Sequence, residues 1–332
     1  MLNRLIGFVT ILLSLLLAWG WMEYGSFKET PLNFPPEGMV YDLKAGSSVA
    51  SLAADLAARG VLEQPILLRL LARLNDQANR LKAGEYQIPS DTTPVRLLEI
   101  LASGKVMQHA LTLVEGWTFK QVMAAVRQQE ALQRTLLDLT DAQIMQRLGY
   151  PEQHPEGRFY PDTYHFPRGE SDVDFLQRAY RKMQRFLAKE WERRAKDLPF
   201  NSPDEALILA SIVERETALP EERPRIAGVF VRRLQKEMLL QTDPTVIYGM
   251  GERFDGNIRR RDLETDTPYN TYLRKGLPPT PIAMPSGAAI KAVLHPQPGD
   301  ELYFVATGDG GHYFSRSLKE HNGAVRKYQL KK

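Results

Sequence analysis

Ser202-Pro-Asp-Glu-Ala-Leu-Ile-Leu-Ala-Ser-Ile-Val-Glu-Arg-Glu-Thr217 reads as a helix that opens from an N-cap at Ser202. Ser202 can accept a hydrogen bond from the first turn. Pro203 takes the first helical position, where its missing N–H is no loss, and Glu205 completes a capping box. Residues 206–213 are apolar on nearly every face, so this helix belongs inside a domain. Only the far end is polar, where Glu214, Arg215 and Glu216 follow one another before Pro220 closes the element.

A helix buried all round needs other elements to wrap it. Residues 172–196 form a long helix with Val173, Leu176, Tyr180, Met183 and Leu187 on one side and a solvated basic face on the other. Residues 221–236 form another, with Ile226, Val229, Phe230 and Leu234 turned inward. Leu302-Tyr-Phe-Val-Ala306 and His312-Tyr-Phe-Ser315 flank Gly308-Asp-Gly-Gly311 as a hairpin, and Ser317 with Glu320 opens a final helix. Further capping boxes begin at Thr118 with Gln121 and at Thr140 with Gln143.

Nearer the N-terminus the elements are shorter. Residues 25–38 are rich in Pro and Gly and read as a linker. A strand at 40–43 precedes a helix capped by Ser48, with Val49, Leu52, Ala53 and Leu56 on one face and Gly60 as its stop. Ile66, Leu67, Leu70, Leu71 and Leu74 mark a second amphipathic helix. A strand at 82–89 and a helix at 95–101, ended by Gly104, complete the series. The expected class is α+β, with a small strand–helix–helix–strand module ahead of a larger mixed domain.

Residues 5–22 are almost wholly apolar, a length within the roughly 17–25 residues that span a bilayer as a helix. Trp19, Trp21 and Tyr24 sit at its far end, where aromatics favour the lipid–water boundary, and Arg4 favours a cytoplasmic start. A cleaved signal peptide is the alternative, with Ala18-Trp-Gly20 as a small-x-small site, but the bulky Trp21 and the length of the run favour an anchor. With no cysteine, the chain has neither disulfide staples nor a thiol for lipid modification.

A net charge of +3 without a compact basic and aromatic cluster argues against nucleic acid as a partner. The histidines at 109, 154, 165, 295, 312 and 321 lack HExxH spacing, so neither a metal nor a cofactor is expected. No G-x-S-x-G elbow or phosphate-cradling loop occurs.

The chemistry concentrates after the buried helix. Glu214 and Glu216 lie about 200° apart on it, so only one can share a pocket with apolar neighbours. Ile212, one turn before Glu216, would shield that carboxyl, and a glutamic acid raised by burial can serve as a general acid near neutral pH. Both glutamates could instead pair with Arg215, Arg223 or Arg225. Gln241-Thr-Asp-Pro-Thr245 is dense in donors and acceptors, although Thr242 or Asp243 could simply cap a short helix at 245–248. Asn270-Thr-Tyr272 and Gly276-Leu-Pro-Pro279 read as loops that could line a polar groove.

Ala210-Ser-Ile-Val-Glu-Arg-Glu-Thr217, Leu240-Gln-Thr-Asp-Pro-Thr-Val-Ile-Tyr-Gly249, Tyr269-Asn-Thr-Tyr272 and Gly276-Leu-Pro-Pro279 together resemble the YceG-like (MltG) family of endolytic murein transglycosylases. The likeness extends through Lys82-Ala-Gly-Glu-Tyr86, Val114-Glu-Gly116, Pro161-Asp-Thr-Tyr164, Tyr303-Phe-Val305 and His312, and so covers essentially the whole chain. Thr280 and Ser286 depart from it, standing where glycines are expected.

The resemblance implies a single-pass inner-membrane protein with residues 1–24 as anchor, a LysM-like module at 39–104 and a catalytic domain at 105–332 facing the periplasm. It assigns catalysis to Glu216 and a groove to Thr217, Gln241, Thr242, Asp243, Thr245, Tyr248, Asn270 and Tyr272, where Thr217 resembles the residue after the catalytic glutamate in other lytic transglycosylases. The implied partners are peptidoglycan strands and, beside them, penicillin-binding synthases. Two other readings are a hydrolytic muramidase with Asp243 or Glu214 as second carboxyl, and a non-catalytic peptidoglycan-binding scaffold.

Overall fold

A computed structural model describes residues 2–330. The chain divides into two compact units, Met1–His109 with Phe166–Gly169, and Ala110–His165 with Glu170–Lys332.

The first unit opens with α1 (Leu2–Glu29), whose stretch from Arg4 is long and apolar enough to cross a membrane. Then come β1 (Met39–Leu43), α2 (Val49–Ala58), α3 (Pro65–Leu74), β2 (Gly84–Ile88) and α4 (Pro94–Ser103). Strands β1 and β2 are antiparallel neighbours, in register from Met39 opposite Ile88 to Leu43 opposite Gly84. Their inward residues Tyr41, Leu43, Tyr86 and Ile88 meet Leu52, Leu56, Leu68, Leu71, Leu97 and Leu101 in one core. Gly104 takes φ +71° to end α4, a conformation that a side chain disfavours.

Two details differ from the reading of the sequence. Of residues 25–38, read as a linker, the first five continue α1 to Glu29, and Leu32 and Phe34 are buried in the core of this unit. The α3 helix forms, but it buries Leu68, Leu71 and Ala72 and leaves Ile66, Leu70 and Leu74 exposed. Leucines on two faces allow either orientation, and packing against α2 and α4 selects one.

The second unit begins within β3 (Gln108–Thr112), which pairs with β4 (Thr163–Pro167), and carries between them in the chain α5 (Phe119–Gln128) and α6 (Asp141–Leu148). Both of those helices start at the expected capping boxes. There follow α7 (Asp172–Glu192), α8 (Pro203–Glu216), α9 (Arg223–Gln235), α10 (Asp243–Met250), α11 (Arg260–Glu264), α12 (Gly287–Leu294), β5 (Tyr303–Ala306), β6 (His312–Ser315) and α13 (Leu318–Tyr328).

Helix α8 is the axis of this unit. Ala206, Leu207, Leu209, Ala210, Ile212 and Val213 are buried among residues from α7, α9 and α12. Ser202 accepts from the Glu205 N–H as predicted, but the Glu205 carboxylate accepts from the Asn201 N–H (2.7 Å), not from the cap itself. β5 and β6 form the expected antiparallel hairpin, with Phe304 opposite Phe314, and α13 packs on it. Burying α8 on every side fixes its last residue, Glu216, against a rigid frame.

Candidate active site

Glu216 is the final residue of α8, and Thr217 beyond it is already extended (φ −141°, ψ 138°). The last carbonyls of a helix gather negative potential, so a carboxylate there is disfavoured. Ile212 one turn back is fully buried, as the spacing required. Removal from water dominates the Glu216 carboxyl and raises its pKa to about 7. The hydrogen bond from Thr242 opposes this rise, the charge of Asp243 reinforces it, and His312 and Arg233 oppose it to a smaller extent. Glu216 has no ion-pair partner among the described residues.

Glu214 has the opposite surroundings. Arg223 donates to it at 3.0 Å, the Ser286 N–H donates at 2.9 Å, and both charged side chains are buried. The surface-pairing alternative therefore holds for Glu214, in a buried form, and not for Glu216. Ser286 also caps α12 by accepting from the Ala289 N–H (3.1 Å), so the expected glycine is replaced by a functioning cap. Thr280 likewise has its own partner, the Tyr269 hydroxyl at 2.8 Å.

A polar cavity of about 500 Å³ opens over Glu216, lined by Arg233, Leu240, Gln241, Asp243, Tyr272, residues 303–306, His312 and one side of α13. A second hollow of about 440 Å³ lies on its other side, bounded by Val114, Glu115, Gly116, Glu214, Arg215, Thr217 and Arg223. Glu216 borders both.

The segment 241–245 is shaped around this carboxyl. Gln241 adopts φ +50°, rare for a residue with a side chain and a place where backbone strain is held by its surroundings. Its N–H is fixed by the Thr271 carbonyl (3.1 Å), and the Thr242 N–H by the Thr271 hydroxyl (3.1 Å). Thr242 stands at the N-cap of α10 but makes no capping hydrogen bond, and its hydroxyl donates to Glu216 instead. The capping alternative is thus set aside by the side chain itself. Tyr272 donates to Asp243 at 2.6 Å, and burial together with that bond pushes its phenol pKa well up, which keeps it a neutral donor.

The residues expected in a groove divide into two groups. Gln241, Asp243 and Tyr272 line the larger cavity with Glu216, Thr242 touches the carboxyl, and Thr217 borders the smaller hollow. Thr245, Tyr248 and Asn270 are outside both linings. Thr245 is buried and bridges the Thr242 carbonyl (2.8 Å) and the Thr271 hydroxyl (2.9 Å). Asn270, also buried, ties together the Leu263 and Thr265 carbonyls (2.9 and 2.7 Å) and the Tyr272 N–H (2.9 Å). Tyr248 donates to Glu156 at 3.0 Å and meets the Tyr269 ring edge-on.

Other lining residues were not singled out as site residues. Arg233 is buried and directs its donors to the carbonyls of Leu302 (2.6 Å), Leu239 (3.1 Å) and Leu240 (2.8 Å), which holds the 239–241 segment in place. His312 is clamped by Glu222, which accepts from its N–H (2.9 Å) and approaches its Nδ1 (2.7 Å). A histidine at the start of a strand after a Gly-rich turn was the available signal. Arg233, on a face of α9 shared with apolar residues, offered none. Among the described residues no group of His, Asp and Glu is arranged to hold a metal ion.

A model of the YceG-like family matches residues 41–327. A Bacillus subtilis protein named endolytic murein transglycosylase is 31% identical over 304 residues, spanning 86% of this chain and 84% of that protein. A Streptococcus pneumoniae protein of the same name is 27% identical over 355 residues, spanning 96% of this chain and 64% of that one. The crystal structure of a yceG-like protein from Listeria monocytogenes is similar at a TM-score of 0.54 and 30% identity, covering 87% of this chain and 99% of that one.

Proposed function

Because the chain belongs to the YceG-like family, we propose that it is an endolytic lytic transglycosylase of peptidoglycan. It cuts the β-1,4 bond between N-acetylmuramic acid and N-acetylglucosamine in nascent strands without water. Glu216, protonated, gives its proton to the leaving glycosidic oxygen. As carboxylate it then takes the proton of the muramyl 6-hydroxyl, which attacks the anomeric carbon and closes a 1,6-anhydro ring. One carboxyl serves both steps because they follow in time, and a pKa near the working pH suits a group that must be acid and then base. Thr242 orients it, and Gln241, Asp243 and Tyr272 offer hydrogen bonds to sugar hydroxyls and acetamides.

The observation that carries this reading is a single unpaired carboxyl, withdrawn from water and yet bordering two polar hollows. Helix α1 would anchor the chain with its N-terminus in the cytoplasm and the rest in the periplasm, close to membrane-bound synthases, so that cleavage ends polymerisation. The strand–helix–helix–strand order of the first unit fits a LysM-like module.

Purified protein incubated with uncrosslinked glycan, followed by mass spectrometry of the new ends, tests the chemistry. Anhydro ends are expected from the native chain and none from Glu216→Gln. Reducing ends would instead support a muramidase. That second reading draws on Asp243, a further carboxyl bordering the same cavity as Glu216, since a hydrolase ordinarily uses two carboxyls. Cleavage undiminished in Glu216→Gln would leave a non-catalytic scaffold with a contaminating activity.

A further inference from the structure

Helix α3 carries an apolar stripe that no part of the first unit covers. Ile66 is 75% exposed, Leu70 41% and Leu74 63%. Spaced four apart, they lie along one side of the helix. Arg69 and Arg73 stand next to this stripe, both exposed. Neighbouring Arg59, Arg80 and Arg96 each pair with an acid at 2.9–3.1 Å. Arg69 and Arg73 have no ion-pair partner among the described residues.

The position of α3 relative to α1 says what covers the stripe. Glu23 directly follows the apolar run 5–22, and its carboxylate accepts from the Gln64 side chain at 2.6 Å. Gln64 is the residue immediately before α3. Tyr24 and Phe27, one turn further along α1, pack onto the core of the same unit. Helix α3 therefore starts at the level where α1 leaves the apolar layer. An amphipathic helix with arginines beside its apolar side is suited to lie in a lipid–water interface. There its leucines enter the acyl region while the guanidinium groups reach back to phosphates.

We propose that α3 is an interfacial helix that rests in the surface of the bilayer crossed by α1, with Ile66, Leu70 and Leu74 among the lipids and Arg69 and Arg73 on anionic headgroups. It rests on α1 spanning a membrane and is independent of the reaction at Glu216. The unpaired cations of α3 complement an anionic phospholipid.

The absence of cysteine allows one nitroxide at a time to be placed in the full-length chain. Ile66→Cys and Leu70→Cys report on α3, Leu12→Cys on the span, and Glu152→Cys, at an exposed site of the second unit, on water. Each protein is reconstituted into vesicles of phosphatidylethanolamine and phosphatidylglycerol. Accessibility is then compared for oxygen, which concentrates in lipid, and a nickel chelate, which stays in water. Positions 66 and 70 are expected to group with 12, favouring oxygen several-fold more than 152 does. Replacing phosphatidylglycerol with phosphatidylcholine should draw 66 and 70 toward the aqueous value and leave 12 unchanged.

Aqueous behaviour at 66 and 70 with lipid exposure at 12 overturns the inference and leaves the anchor standing. Aqueous behaviour at 12 as well overturns both. Shielding of 66 and 70 from both reagents means a protein covers the stripe, which also overturns it. Depth unaffected by phosphatidylcholine overturns the role given to Arg69 and Arg73.

Discussion

Glu216 and Glu156 both lie in the second unit, and both have a carboxyl pKa raised to about 7, chiefly by removal from water. Around Glu156 the site is closed. It accepts from the Phe119 N–H at 2.9 Å and the Tyr248 hydroxyl at 3.0 Å, and its residue is 3% exposed. Around Glu216 one hydroxyl, that of Thr242, donates, and the remaining approaches open onto two hollows. Desolvation alone therefore does not mark a catalytic acid. Access for a substrate, combined with an incomplete set of internal partners, separates the two.

The largest test of this contrast is activity. Glu216→Gln should lower glycan cleavage by about 10³-fold, within the range that general acid–base groups contribute. Binding of glycan to the folded variant should persist. Glu156→Gln should cleave at nearly the native rate per folded molecule. Cleavage assays normalised to folded protein decide it, and a folded but inactive Glu156→Gln would break the comparison.

Stability against pH comes next. Folded Glu216 keeps its proton up to about pH 7, whereas its ordinary value is 4.5. Between those values the folded state binds more protons than the unfolded, so stability falls as pH rises. The contribution is fully present below pH 4.5 and lost above pH 7, a difference of up to about 3 kcal/mol. Glu216→Gln should remove that slope and become more stable than the native chain at pH 8, as measured by urea titration from pH 4.5 to 8. In Glu156→Gln the gain should be smaller, because an amide cannot accept with both atoms and a lost buried acceptor costs about 1–3 kcal/mol.

Thr242→Val keeps the shape and removes the hydroxyl. Because that hydrogen bond lowers the Glu216 pKa, its loss should raise it further and move the alkaline limb of the pH–rate profile upward. The rate should fall about 10-fold from poorer orientation of the acid. An unmoved alkaline limb would mean that Thr242 does not govern the ionisation. The smallest effect is that of Tyr248→Phe, a loss of about 1 kcal/mol of stability with cleavage unchanged, since it removes the hydroxyl that bonds to Glu156 and Thr280, outside both hollows.

Much of the architecture was readable because local signals agreed. The apolar interior of residues 206–213 with Ser202 and Pro203 before it named the central helix, and the Gly-rich turn at 308–311 named the hairpin. The α3 face was not readable, because leucines occur on both its sides and only packing chooses between them. For the candidate site, the angular offset of Glu214 and Glu216 implied that only one could share a pocket with apolar neighbours, and Ile212 one turn before Glu216 pointed to which. That Glu214 alone takes an arginine partner was not legible, since both glutamates had arginines within reach in the sequence. Thr245, Asn270 and Tyr248 carry the same groups as their cavity-lining neighbours, and nothing in a linear string says which hydroxyl or amide turns inward to hold a loop. Arg233 was hidden for the opposite reason, since a cation among apolar helix residues looks like a surface group until its donors are traced to carbonyls.

A carboxyl that stands on a saddle between two hollows, with neither closing it off at one side, has no back wall from which to measure a polymer. Under the proposed chemistry such a catalyst can bite anywhere along a strand laid over it, and fragment length is not written into the pocket. Length would then be a matter of timing: how long a growing chain escapes the blade, set by the enzyme's proximity to the site of synthesis.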